Sequence, residues 1–161
     1  MANLTTTDAH FLDMAGKLAQ DNVRQGLGGP FGAVIVDSGG QVVAAACNAV
    51  ISTNDPTAHA EVQAIRSATS KLGRYDLTGL TIYASAEPCP MCMAAIYWAR
   101  LARVVYSNTR QQTAAIGFDD AFFYDELLKQ PHQRQLTCQH APNPEAEAAF
   151  KLWADSNLPR Y

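Results

Sequence analysis

Leu80-Thr81-Ile82-Tyr83-Ala84-Ser85-Ala86-Glu87-Pro88-Cys89-Pro90-Met91-Cys92 is the stretch whose reading decides the fold. Leu80 to Ser85 reads as a strand, and it runs directly into Glu87-Pro88-Cys89-Pro90-Met91-Cys92. Pro90 suits the first turn of a helix, where a missing backbone N–H costs nothing. Cys89 and Cys92 then share one face at the start of that helix. Free N–H groups and the positive end of the helix dipole favour thiolates there. Two adjacent thiolates repel each other, so the arrangement asks for a soft cation or a redox bond.

His59-Ala60-Glu61 bears on that choice. His59 offers a third soft ligand beside Cys89 and Cys92, and Glu61 an acid/base group. Zinc takes such N/S ligands tetrahedrally, and three protein ligands leave the fourth position to water, which is the catalytic pattern. Two thiolates and a neutral imidazole cancel the charge of the dication, so water there needs a base, and Glu61 is placed to take its proton without being a ligand. A closed zinc knot completed by Cys47, Cys138, His132 or His140 is disfavoured, because only one Cys-x-x-Cys pair is present. A thioredoxin-like redox pair has no use for His59 and Glu61.

Outward from this centre, strands alternate with helices. Helical spacing covers residues 8–25 through Phe11, Leu12, Ala15, Leu18, Ala19 and Val23, with Thr7 or Asp8 as cap. Residues 31–36 form a continuous apolar run, as in a strand buried on both faces. The turn Asp37-Ser38-Gly39-Gly40 returns the chain as a second strand over 42–48. A helix from about Ala58 to Leu72, capped by Thr57, puts Val62, Ile65, Ala68 and Leu72 inward. The helix from Pro90 is apolar nearly all round, so Tyr97 and Trp98 are expected in the core or a subunit contact. Arg103 to Tyr106 is a fourth strand, 107–120 a loop and Ala121 to Leu128 a short helix. A fifth strand is expected near Gln135 to Cys138. A final amphipathic helix over 143–157 turns Ala146, Ala149, Phe150 and Trp153 inward. The pattern is α/β with a mixed five-stranded sheet, the ligand-bearing helix starts meeting over one end of it.

The chain has 161 residues, enough for one domain over 1–161 with a sizeable core. Its formal charge of −3 argues against a broad grip on nucleic acid. No apolar run approaches bilayer length, and the first residues lack a basic stretch followed by an apolar one, so neither a secretory leader nor a membrane role is expected. The four cysteines read as reduced thiols of a cytoplasmic protein.

His-x-Glu followed by Pro-Cys-x-x-Cys is the signature of zinc nucleobase deaminases. The sequence resembles the cytidine deaminase superfamily, and within it the small bacterial guanine deaminases. The resemblance rests on Gly29-Pro30-Phe31-Gly32-Ala33-Val34, on Asn54-Asp55-Pro56-Thr57-Ala58-His59-Ala60-Glu61 and on Glu87 through Cys92. It continues through Ala95-Ile96-Tyr97-Trp98-Ala99-Arg100 and Gly117-Phe118-Asp119-Asp120. It implies a three-layer α/β/α sandwich, one zinc ion per chain and a homodimer. It also implies a C-terminal segment, about 143–161, exchanged between subunits, so that Tyr161 closes the partner's pocket. The implied reaction is hydrolysis of a purine base, guanine, to xanthine and ammonia.

For the base itself, Asn48 both donates and accepts, which suits a purine edge as well as it suits a turn cap. Asp120 accepts from ring N–H groups, while it or Asp119 caps the helix that follows. Phe31 either stacks on the base or belongs to the core strand. The Ala60 N–H, with that of Cys89, faces the metal by position and suits a developing oxyanion. Glu87 supports from beside the ligands. A tRNA adenosine deaminase is disfavoured, because Gly117 to Leu128 carries four acids and no base. Guanosine or other amino-heterocycles would need a different pocket size. A zinc-stabilised binding module would have no use for Glu61.

Overall fold

The computed structural model describes residues 4–160. The chain forms two compact units, one ending at Tyr124 and the other starting at Asp125. The first holds α1 (Thr6–Arg24), β1 (Gly32–Val36), β2 (Val42–Cys47), the short α2 (Val50–Thr53), α3 (Ala60–Leu72), β3 (Thr81–Ala86), α4 (Pro90–Trp98), β4 (Arg103–Asn108) and α5 (Arg110–Ala115). α6 (Ala121–Leu128) follows, and α7 (Pro144–Asp155) belongs to the second unit.

The sheet order is β2-β1-β3-β4, with β1 antiparallel to β2 and β3, and β3 parallel to β4. It is mixed, as expected, but has four strands among the described residues. The expected fifth strand at Gln135 to Cys138 does not form: these residues are exposed and pair with no strand of the sheet among the described residues. Leu136 alternates with polar neighbours, yet a strand is stable only when an edge pairs with it and a face covers it.

Side chains of β1 alternate between two cores. Ala33 and Ile35 join Ala60, Ala64, Ala68 and Ile96 on the face covered by α3 and α4. Val34 and Val36 join Phe11, Ala15 and Tyr83 on the face covered by α1. The first unit is therefore a three-layer α/β/α sandwich. Gly32 lets the layers touch, because a Cβ there would lie 2.3 Å from the carbonyl oxygen of Ala15.

Several boundaries shift for stated reasons. α1 starts two residues early because Thr5, not Thr7 or Asp8, is its cap, in a capping box with Asp8. α3 starts at Ala60, with His59 rather than Thr57 at the cap position. The expected loop over 107–120 contains α5, whose capping box pairs Thr109 with Gln112. On α3 the buried side chains are Ala60, Glu61, Ala64 and Ala68, while Leu72 is exposed. Tyr97 and Trp98 are 72% and 63% exposed, so neither is a core residue. α7 buries none of its residues, and Phe150 is 81% exposed rather than inward.

Candidate active site

Two loops that leave the same end of the sheet build the site. After β2 the chain turns through α2 to His59 at the cap of α3, and the Ala49 N–H donates to the Ala58 carbonyl across that turn at 2.8 Å. After β3 it reaches Cys89 at the cap of α4, with Pro90 in the first turn. Cys92 is one turn further and fully buried. His59 Nδ1 lies 3.6 Å from Cys89 Sγ and 3.5 Å from Cys92 Sγ. A tetrahedral zinc ion at its usual Zn–N and Zn–S distances separates such ligand atoms by about 3.6 Å. The three side chains, His59, Cys89 and Cys92, are thus placed to hold zinc.

Glu61 is two residues past the histidine and 7% exposed. Burial raises the pKa of its carboxyl group, and Oε2 sits 3.5 Å from Cys92 Sγ. The two thiols differ. Hydrogen bonding from Cys92 and His59 holds Cys89 down at about 4, while Cys92, the donor, is pushed up.

Beside the centre lies a cavity of about 290 Å³, lined by Phe31, Asn48, His59, Glu61, Phe118 and Asp120 among others. The sequence-derived residues Phe31, Asn48 and Asp120 are therefore brought to the ligands. Ala60 is fully buried at the first position of α3, where its N–H has no helical acceptor. Asp120 is half-buried, and burial followed by the Cys89 charge raises the pKa of its carboxyl group. Tyr161 lies outside the described residues. His132 and His140 are exposed, as a surface role requires.

Asn48 caps a turn and also lines the cavity. Its Oδ1 accepts from the N–H groups of Gly29 and Val50, both at 3.3 Å, which caps the turn. That leaves the Nδ2 donor for the cavity. Gly28 is required at this turn, since a Cβ would lie 2.6 Å from the Asn48 carbonyl oxygen.

Residues the motif reading missed complete the site. Asn22 on α1 donates to the carbonyls of Gly29 and Asn48, each at 2.9 Å. Its signal was a polar residue continuing the buried stripe Phe11, Ala15, Ala19. Phe118 meets Phe31 edge to face with centroids 4.9 Å apart. Glu87 is paired with Arg110, which holds its carboxyl below the usual range.

An imidazole and two sulfurs at two helix starts, with a buried glutamate alongside, is the arrangement of the zinc deaminases. Residues 5–108 match the family model of the cytidine and deoxycytidylate deaminase zinc-binding region. The chain belongs to that family. It is 46% identical over 143 residues to a guanine deaminase of Bacillus subtilis, covering 89% of this chain and 91% of that one. The crystal structure of guanine deaminase from Bacillus subtilis superposes with a TM-score of 0.92 at 43% identity, covering 98% of this chain and 99% of that one. A tRNA-specific adenosine deaminase of Haemophilus influenzae is 38% identical over 108 residues, 67% of this chain and 61% of that one.

Proposed function

We propose that the protein hydrolyses guanine to xanthine and ammonia at the His59/Cys89/Cys92 centre. The observation that carries this is the polarity of the cavity. Asn48 has a donor left over and Asp120 an acceptor, and both line a space of about 290 Å³ that Glu61 also lines. That volume lies at the small end of ligand sites, roughly 300–1,000 Å³, as a free base requires. Guanine offers a carbonyl to a donor and ring N–H groups to an acceptor. The near full-length similarity to a guanine deaminase supports the same substrate.

Zinc held by His59, Cys89 and Cys92 would supply Lewis acidity at this centre. The chain's own groups do the rest. Glu61 takes a proton from the attacking water and delivers it to ring N3, which makes C2 electrophilic. The C2–O bond forms as the ring accepts the electron pair. Glu61 then carries the second proton to the 2-amino group, the C2–N bond breaks, and ammonia leaves. The raised pKa of Glu61 suits a group that must hold a proton between these transfers. The Ala60 N–H is a donor for charge developing on oxygen. Phe31, packed with Phe118 in a T-shaped pair, is an aromatic surface for the base.

The chain acts as one catalytic domain over 1–161 and as a homodimer, with the segment from about 143 to 161 exchanged so that Tyr161 closes the partner's pocket. Two observations support this. α7 buries none of its residues although it carries Phe150 and Leu152, and α4 leaves Tyr97 exposed. Cytoplasmic residence fits a centre that needs reduced thiols; no helix among the described residues is long and apolar enough to cross a membrane.

The test is ammonia release from guanine, guanosine, adenine and tRNA by zinc-loaded protein. Guanine is expected to be turned over fastest. Faster release from adenosine in tRNA overturns the substrate. Light scattering of the chain with and without residues 143–161 tests the exchange, and a monomer in both cases rejects it.

A further inference from the structure

We propose that Arg110 and Tyr124 are positioning residues: with Glu87 they form a clamp that sets where Phe118 and Asp120 stand over the metal centre. The proposal rests on the deaminase reading of the cavity and extends it to two residues that do not line it.

Glu87 and Pro88 immediately precede the ligand Cys89. Glu87 is gripped at both carboxylate oxygens. Oε2 accepts from the Arg110 backbone N–H at 3.0 Å, and Oε1 from Arg110 Nε at 3.0 Å and Nη2 at 2.5 Å. The same guanidinium lies 4.0 Å above the centre of the Tyr124 ring. The Tyr124 hydroxyl then donates to the Pro88 carbonyl at 3.0 Å. The contacts close a circuit, Glu87 to Arg110 to Tyr124 to Pro88 and back along the chain. Pro88 is fully buried, so the circuit is anchored on a fixed point.

The segment enclosed by Arg110 and Tyr124 supplies Phe118 and Asp120 to the cavity. Its backbone bonds there are local: Phe118 N–H to the Thr113 carbonyl at 3.3 Å, and Asp120 N–H to the Phe118 carbonyl at 3.2 Å. Such bonds shape the loop without fixing it to the ligands. Both of its ends are fixed to the residues beside Cys89, and that sets the loop's place. A side chain with a planar fork is needed, because one group must meet a carboxylate in its plane and a ring on its face, which a lysine ammonium cannot do.

The experiment compares Arg110→Ala, Arg110→Lys and Tyr124→Phe with the unaltered zinc-loaded protein. It reads zinc content, hydrogen exchange of the amides at 116–120, and kcat and KM for guanine. Zinc content is expected to stay at one ion per chain in all three. Exchange at 116–120 should quicken about tenfold or more in Arg110→Ala. Its KM should rise about tenfold with a smaller fall in kcat. Arg110→Lys should stay impaired despite its charge, and Tyr124→Phe should fall between. Unchanged exchange and KM in Arg110→Ala overturn the proposal, as does a lysine variant that behaves like the unaltered protein. Loss of zinc with unchanged exchange also overturns it, since the contacts would then serve the ligands alone. If Arg110→Ala does not fold, the other two variants decide by the same readouts. If the unaltered protein releases no ammonia from guanine, the deaminase reading fails, while the exchange arm still decides whether the clamp holds the loop.

Discussion

Two buried carboxylates, Asp8 and Glu61, serve one sheet from its opposite faces, and they are treated in opposite ways. Asp8 is 1% exposed and fully partnered. It accepts from the Thr5 N–H at 2.9 Å, the Tyr83 hydroxyl at 2.8 Å, and Arg103 at 2.7 and 3.1 Å. Its pKa is driven far down, first by Arg103. Glu61 is almost as buried but faces sulfur and an open cavity, and burial drives its pKa up. A carboxylate whose lone pairs are filled by fixed donors is a structural joint. One kept short of donors at a cavity wall is free to exchange a proton.

The comparison breaks most sharply at the metal. Cys89→Ala is expected to lose zinc and with it all measurable ammonia release, because two remaining ligands cannot close the set. A fully metallated, active variant would remove Cys89 from the centre. Glu61→Gln is expected to keep its zinc and its melting temperature while kcat falls by about 10²–10⁴, the range of a lost general acid/base. Near-normal turnover would end the proton-transfer role. Asp8→Asn should show the mirror image. It places an amide donor where Arg103 and the Thr5 N–H both point, and should cost about 2–3 kcal/mol of stability, read by urea titration. The kcat of the folded fraction should be unchanged. A loss of turnover without a loss of stability would dissolve the distinction between the two carboxylates.

How each could be read in the sequence follows from the range of its contacts. Glu61 was legible because His59, Glu61, Cys89 and Cys92 carry their chemistry in spacings of two and three residues. Asp8 was seen only as a candidate cap, since Tyr83 and Arg103 join it from 75 and 95 residues away. Arg110 and Tyr124 escaped for the same reason: neither is unusual until Glu87 and Pro88 are beside them. α5 was legible in principle, because Thr109 and Gln112 spell a capping box, but its six residues lack a clear apolar period. The fifth strand erred the other way. Leu136 and Cys138 alternate as a strand would, and pairing, which no local pattern encodes, was missing. In α7 the period was right, and it said which face is apolar without saying what covers it.

The finest test of the comparison is its pH dependence. The folded pKa of Asp8 lies below its unfolded value, so the group binds fewer protons in the folded state than in the unfolded chain. Its contribution to stability is then fully present above the unfolded pKa, about 3.9, and is lost as pH falls through the folded value. The stability difference between the unaltered protein and Asp8→Asn should therefore be flat at neutral pH and shrink as pH drops below about 4. Because Arg103 is 41% exposed, solvent screens its share of the effect, and added salt should reduce it further. A difference that stayed constant down to acid pH would mean that Asp8 acts through shape and neutral hydrogen bonds alone, and its contrast with Glu61 would no longer be one of charge.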